Sequence, residues 1–199
     1  MPLFPGWLRG PGYTIFGNVA VKITESYINY VPPADYGATV NRLLATVPDK
    51  YLVGLDSVVL CNLSGQSRKF RTGTLPRRGR RIKRKDVAGL YHQEWQGQKA
   101  WIQVFVDQIG MPPRSLRWIR PLRDLMFGQV LYHELGHHVH TLRPEYLEKE
   151  DVADNWASRF SLDHLRRRYW YLYPVLWIVA KLVKVFRRLK NTKRTSSER

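Results

Sequence analysis

The chain is short of cysteine, of methionine and of acidic residues: its 199 residues include one cysteine, three methionines, and 16 Asp and Glu against 33 Lys and Arg. A lone Cys61 excludes an internal disulfide and suits a reducing compartment; within Val58-Val59-Leu60-Cys61 it reads as a small buried hydrophobe. The deficit of acid leaves a net charge of +17, an excess that favours partners of opposite sign: nucleic acid, an anionic membrane leaflet or acidic protein. Long apolar runs are also missing. The uncharged stretch Tyr169 to Ala180 holds twelve residues, with Pro174 inside it, against the roughly 20 that a bilayer-crossing helix takes. The opening Met1-Pro2-Leu3-Phe4-Pro5-Gly6-Trp7 never develops the continuous apolar core of an export signal, and none is expected. The expected location is the cytoplasm, with attachment to the inner face of the membrane as an option.

What is present is enough apolar content, 44%, for one good core. The expected division is a domain over 1–165 with a basic insertion at 68–85, a basic aromatic amphipathic helix over 166–190, and a disordered tail over 191–199. Residues 1–17, rich in Pro and Gly with Phe4, Trp7, Tyr13 and Phe16 between them, read as an irregular arm. Alternation of Val19, Val21 and Ile23 with Ala20, Lys22 and Thr24 predicts a strand, and Val40, Leu43, Leu44 and Val47 predict an amphipathic helix before Pro48. A strand follows at Leu55 to Leu63. After the basic stretch, order resumes at Gly89-Leu90-Tyr91, and a polar turn around Gln96-Gly97-Gln98 leads into Trp101 to Val106, the clearest strand of the chain.

Residues 131 to 138, Leu-Tyr-His-Glu-Leu-Gly-His-His, carry His-Glu-x-x-His within a helix predicted over about 121–142, with Pro121 in its first turn. At 3.6 residues per turn, His133 and His137 return to one face and can aim a nitrogen at one metal ion. Glu134, at the edge of that face, can reach a water on the metal without becoming a ligand, and zinc brings such a water to a pKa of roughly 7. Leu131, Leu135, Val139 and Leu142 form an apolar stripe, so the helix packs, and a packed helix needs a reason for His, Glu and His. A catalytic zinc takes a third protein ligand. The metzincin spacing would put a histidine where Arg143 stands and a glycine where His140 stands, so that pattern is absent. Downstream of Pro144, Glu150 and Asp154 lie at i and i+4 of a second predicted helix. Glu150 can complete the triad while Asp154 accepts a hydrogen bond from a ligand histidine; Asp151, Glu148 and Glu145 are the alternatives for the third ligand.

The two segments, His133-Glu134-x-x-His137 and Glu150-x-x-Ala153-Asp154, resemble the gluzincin metallopeptidases, most closely the single-domain minigluzincins and the soluble catalytic part of HtpX-like and CAAX-protease-like enzymes. The match covers about residues 121 to 160, the spacing between the motifs is short, and the membrane spans of the integral-membrane relatives are missing. The resemblance implies an α+β, zincin-like fold: a small twisted sheet, mostly antiparallel or mixed, with an active-site helix and a second ligand-bearing helix. It implies a zinc endopeptidase holding one Zn²⁺ ion by His133, His137 and Glu150, with Glu134 as general base and Asp154 behind the ligands. The strand before the active-site helix looks like the cleft's edge strand, to which a peptide or protein substrate could add along Trp101, Gln103 and Phe105.

The basic insertion reads as a mobile loop or loose hairpin that could bind phosphates of a nucleic acid through Arg77, Arg78, Arg80, Arg81 and Arg84, although Phe70 alone makes no stacking platform. The segment 166–190 could lie on an anionic membrane surface. His138 and His140 point away from the ligand direction and read as surface residues, His92 and His164 as isolated ones. For a donor to the developing oxyanion, Tyr91, Tyr146 and His164 are the candidates. The alternatives to a free-standing peptidase are a nucleic-acid-associated or membrane-surface protease and a non-catalytic protein stabilised by zinc.

Overall fold

A computed structural model describes residues 12–16, 19–77, 80–110, 119–145 and 148–172, with the backbone alone at 12–16, 76, 77 and 80. Five strands form one mixed sheet in the order β1-β2-β3-β7-β6, with β1 Gly12–Phe16, β2 Val19–Ser26, β3 Leu55–Cys61, β6 Gly89–His92 and β7 Ala100–Phe105. The three central strands run parallel, and β1 and β6 close the edges antiparallel. A separate two-stranded sheet pairs β4 Thr74–Arg77 with β5 Arg80–Lys83. The helices are α1 Tyr36–Leu44, α2 Arg68–Thr72, α3 Arg120–Leu142 and α4 Lys149–Arg168. The fold is α+β as expected.

Local chemistry accounts for most boundaries. Asp35 caps α1 by accepting from the Ala38 N–H at 2.8 Å, and Pro121 occupies the first turn of α3, where a missing N–H costs nothing. At Gln96 and Gly97 both φ angles are positive, 47° and 81°, which is the two-residue turn whose twist matches a β6–β7 hairpin. The core lies between one face of the sheet and the helices α1 and α3. Phe127, Leu131, Leu135 and Val139 of α3 are fully buried there, each contributing about 1.5–3 kcal/mol, while Leu142, expected in the same stripe, is exposed. Tyr36 of α1 stacks on Phe127 at 5.4 Å, and Phe160 of α4 reaches Tyr132 and Tyr51. A smaller cluster of Cys61, Leu63 and Phe105, with Phe70 of α2 and Leu90 against it, supplies a second patch of packing.

Three expectations change. Residues 12–16 are a strand, because their main chain completes the edge beside β2, a pairing that Pro and Gly nearby conceal. The described part of the basic insertion, expected as a mobile loop or loose hairpin, keeps the hairpin pairing in β4 and β5 but adds α2 and a 3₁₀ turn at Arg84–Asp86. His164 is not isolated: buried, it lies 3.1 Å from the Thr46 hydroxyl and 3.5 Å from Asp124, itself paired with Arg42 at 2.8 Å.

The chain divides into two compact units, Met1–His164 and Leu165–Arg199. In the second, Arg166–Arg168 complete α4 and Trp170–Leu172 form a 3₁₀ turn. The remainder of the expected 166–190 helix and of the 191–199 tail lies outside the described residues, as do most of the N-terminal arm and the 111–118 linker. Among the described residues no helix is long and apolar enough to cross a membrane.

Candidate metal centre

The motif helix α3 places His133 and His137 one turn apart with ring centroids 4.9 Å apart and planes perpendicular. α4 crosses it and brings Glu150 to the same point. The carboxylate stands 3.5 Å from His133 Nε2 and 3.7 Å from His137 Nε2, and one donor atom from each of the three residues lies within 4.8 Å of the others. Two donors at zinc distance from one tetrahedral ion are roughly 3.4 Å apart, so two imidazoles and a carboxylate at this spacing fit such an ion. Asp154 accepts a hydrogen bond from His133 Nδ1 at 2.9 Å, which leaves Nε2 as the acceptor nitrogen on the side of Glu150. No other group of three His, Cys, Asp or Glu among the described residues could hold a metal. Of the alternatives to Glu150, Glu145 accepts from the Trp156 indole N–H at 3.3 Å, and Glu148 and Asp151 are exposed.

Glycines make this convergence possible. A Cβ on Gly136 would stand 2.7 Å from Ala153 Cα and 2.8 Å from Ala153 O, so α3 and α4 touch backbone to backbone just where Glu150 must reach the histidines. A Cβ on Gly89 would stand 2.7 Å from Glu134 Cγ and 2.9 Å from its Oε1. The largely buried Glu134 therefore lies along the β6 main chain, at the wall of a cleft of about 320 Å³ that it shares with His133, His137 and Glu150.

The edge of that cleft is β6. The expectation that Trp101, Gln103 and Phe105 form an edge strand is corrected, since β7 lies between β3 and β6 with its hydrogen-bonding positions taken on both sides. Gln103 spends its side chain on His92 and Cys61, Trp101 stacks on His92 at 3.8 Å, and Phe105 packs on Phe70. Outside β6 no described strand pairs, and its Gly89, Leu90 and Tyr91 line the cleft.

His138, expected at the surface, is buried. Its Nε2–H donates to the Val53 carbonyl at 3.0 Å, so Nδ1 accepts from the Tyr91 hydroxyl at 3.1 Å. Burial holds its pKa below the ordinary range, and burial likewise raises that of Tyr91. Of the candidate oxyanion donors, Tyr91 lines the cleft but points its proton at His138, His164 lies in the core, and Tyr146 is outside the described residues. His140, read as a surface residue, lines the cleft as well.

Of the arginines expected to bind phosphate, Arg84 lies over the Phe70 ring at 4.5 Å and fastens the base of the hairpin, and Arg81 is exposed on β5. Arg77 and Arg80 face each other in the register of β4 and β5, and Arg78 is outside the described residues.

No protein-family model, curated protein or solved structure matches this chain.

Proposed function

We propose that the chain is a zinc-dependent endopeptidase of the gluzincin kind, holding one zinc ion by His133, His137 and Glu150. The observation that carries the reading is the convergence of those three side chains, with Asp154 behind His133, beside a buried carboxylate that opens on the same cleft. Zinc, when bound, supplies a Lewis acid that acidifies water and polarises a carbonyl. The remaining work falls to the chain. An extended peptide hydrogen-bonds to the β6 edge, which holds its scissile bond across the cleft. Glu134 accepts the proton of the attacking water on its carboxylate and delivers it to the departing amine nitrogen. Asp154 keeps His133 in one tautomer. Location in the cytoplasm, with the basic segment 166–190 against the inner membrane face, belongs to the same proposal and is supported by the single buried thiol and by charge.

The test is Glu134→Gln. It is expected to retain one zinc per chain and to lose hydrolysis by on the order of 10²–10⁴-fold. A variant as active as the parent would remove Glu134 from its role. A zinc-loaded parent inert toward a broad peptide library would leave only a metal-stabilised binding protein.

A further inference from the structure

The cleft has a wall that belongs to neither the main sheet nor the motif helices. Leu75 of β4 and Ile82 of β5 are direct cross-strand partners, both half-buried, and both line the cleft that holds Glu134 and Glu150. Val87 and Leu90 continue this apolar surface toward the β6 edge. A lone pair of four-residue strands is marginal in water, so its apolar face needs something to lie against. The hairpin's base is fixed, by the Arg84 N–H donating to Gly73 O at 2.9 Å and by the Arg84 guanidinium on Phe70, which keeps the wall in position.

The segment that contains these strands carries the densest positive charge in the chain: residues 68 to 85 include ten Arg and Lys and no Asp or Glu. Along β5 the exposed Arg81 and Lys83 flank the half-buried Ile82. At about 3.3 Å per residue their backbones are close to whatever touches Ile82, on the order of the 8 Å over which charge acts in physiological salt. Lys149, at the start of α4, also lines the cleft. The first acid after the segment in sequence is the exposed Asp86, and Glu134 and Glu150 line the cleft with the candidate donors. A nucleic acid suits this surface poorly, because Phe70, the aromatic ring of the segment, is packed between Arg84 and Phe105.

From these placements we infer that the β4–β5 hairpin is the specificity wall of the cleft, selecting extended peptides in which a large apolar side chain is flanked by acidic ones. The inference rests on the peptidase reading and gives it a substrate class. In an extended peptide alternate side chains face opposite ways, so one residue meets Leu75 and Ile82, and its neighbours, turned off that face, are selected by the long-range field of the basic strand rather than by a direct pair.

Binding separates this from hydrolysis. The full-length, zinc-loaded Glu134→Gln protein is titrated, by fluorescence anisotropy, with labelled ten-residue peptides whose central Leu is flanked by Glu, by Ser or by Lys, and with a Glu-flanked peptide centred on Ser. The Glu-flanked Leu peptide is expected to bind about tenfold tighter than its Lys-flanked counterpart, and the gap to shrink as salt rises. Added Arg81→Glu and Lys83→Glu reverse the order of Glu and Lys flanks. Added Ile82→Ser weakens the Leu-centred peptide and leaves the Ser-centred one unchanged. Absence of binding, affinities independent of flank and centre, or an order unmoved by the two charge reversals overturns the inference, as does a single-stranded DNA that binds through those residues while the peptides do not discriminate. If the peptides rank as expected and the parent enzyme cleaves none of them, the wall stands and the hydrolase reading falls.

Discussion

Gly136 and Ala153 meet with no room for a methyl group, 2.7 Å separating the place of a Gly136 Cβ from Ala153 Cα. Because the obstructing atoms are backbone, Gly136→Ala must push α4 off α3. Overpacking of this kind costs about 1–3 kcal/mol, and the shift is felt first where Glu150 reaches across. Zinc affinity, measured by competition with a chelator, is expected to fall by about five- to a hundredfold. A variant that binds zinc like the parent would show that the crossing does not set the position of Glu150.

Gly89 predicts the opposite signature. A methyl there collides with Glu134 Cγ and Oε1 and with Val130, none of them a metal ligand. Gly89→Ala should therefore keep one zinc per chain while turnover drops by roughly tenfold or more, since a displacement of about 1 Å at a catalytic group can cost up to 10²-fold. Metal analysis and peptide hydrolysis on the same preparation decide it. Loss of zinc in step with activity would contradict the placement of Glu134.

Asp154 is bonded to His133 Nδ1 and is itself half exposed. Asp154→Asn keeps the shape and removes the carboxylate acceptor. Partners behind a ligand histidine are worth about 10–100-fold in metal affinity, and a loss in that range is expected without unfolding. An unchanged affinity would make the contact incidental.

Cys61 gives a prediction in pH. Burial pushes its thiol above the ordinary range, although the bond from the Gln103 amide at 3.3 Å opposes that shift. Only thiolate reacts with a disulfide reagent. The native protein should react slowly at pH 8, the rate should keep climbing at pH values where an ordinary thiol has levelled off, and denaturant should release one fast thiol per chain. Fast labelling of the native state at neutral pH would contradict the burial.

The convergence of His133, His137 and Glu150 is legible in the sequence because its spacing is helical. His133, His137, Glu150 and Asp154 each follow from a rotation of 100° per residue on one of two helices, and Pro121 and Pro144 bracket the first of them. Periodicity says nothing of how those two helices touch, but Gly136 carries the signal. A glycine inside a helix costs about 1 kcal/mol against alanine, so one that stands between His133 and His137 needs a packing reason. The edge strand is hidden because strand order in space is not local. Yet Trp101 to Val106 is almost continuously apolar, the mark of a strand covered on both faces, whereas Gly89 to His92 is not. For His138 the helical angle excludes it from the ligand set and stops there, since the Val53 carbonyl that buries it approaches from a distant turn. The hairpin is half legible: charge and turn residues announce it, but the pairing of Leu75 with Ile82 shows only when β4 and β5 are in register.

Every described strand precedes residue 106, and the three donors fall between 133 and 150. A ribosome thus delivers every described strand before the candidate donor set is complete, and synthesis proceeds from the amino end at about 5–20 residues per second. If the proposed peptidase reading holds, a nascent chain gains the means to cut only after Glu150 has left the exit tunnel.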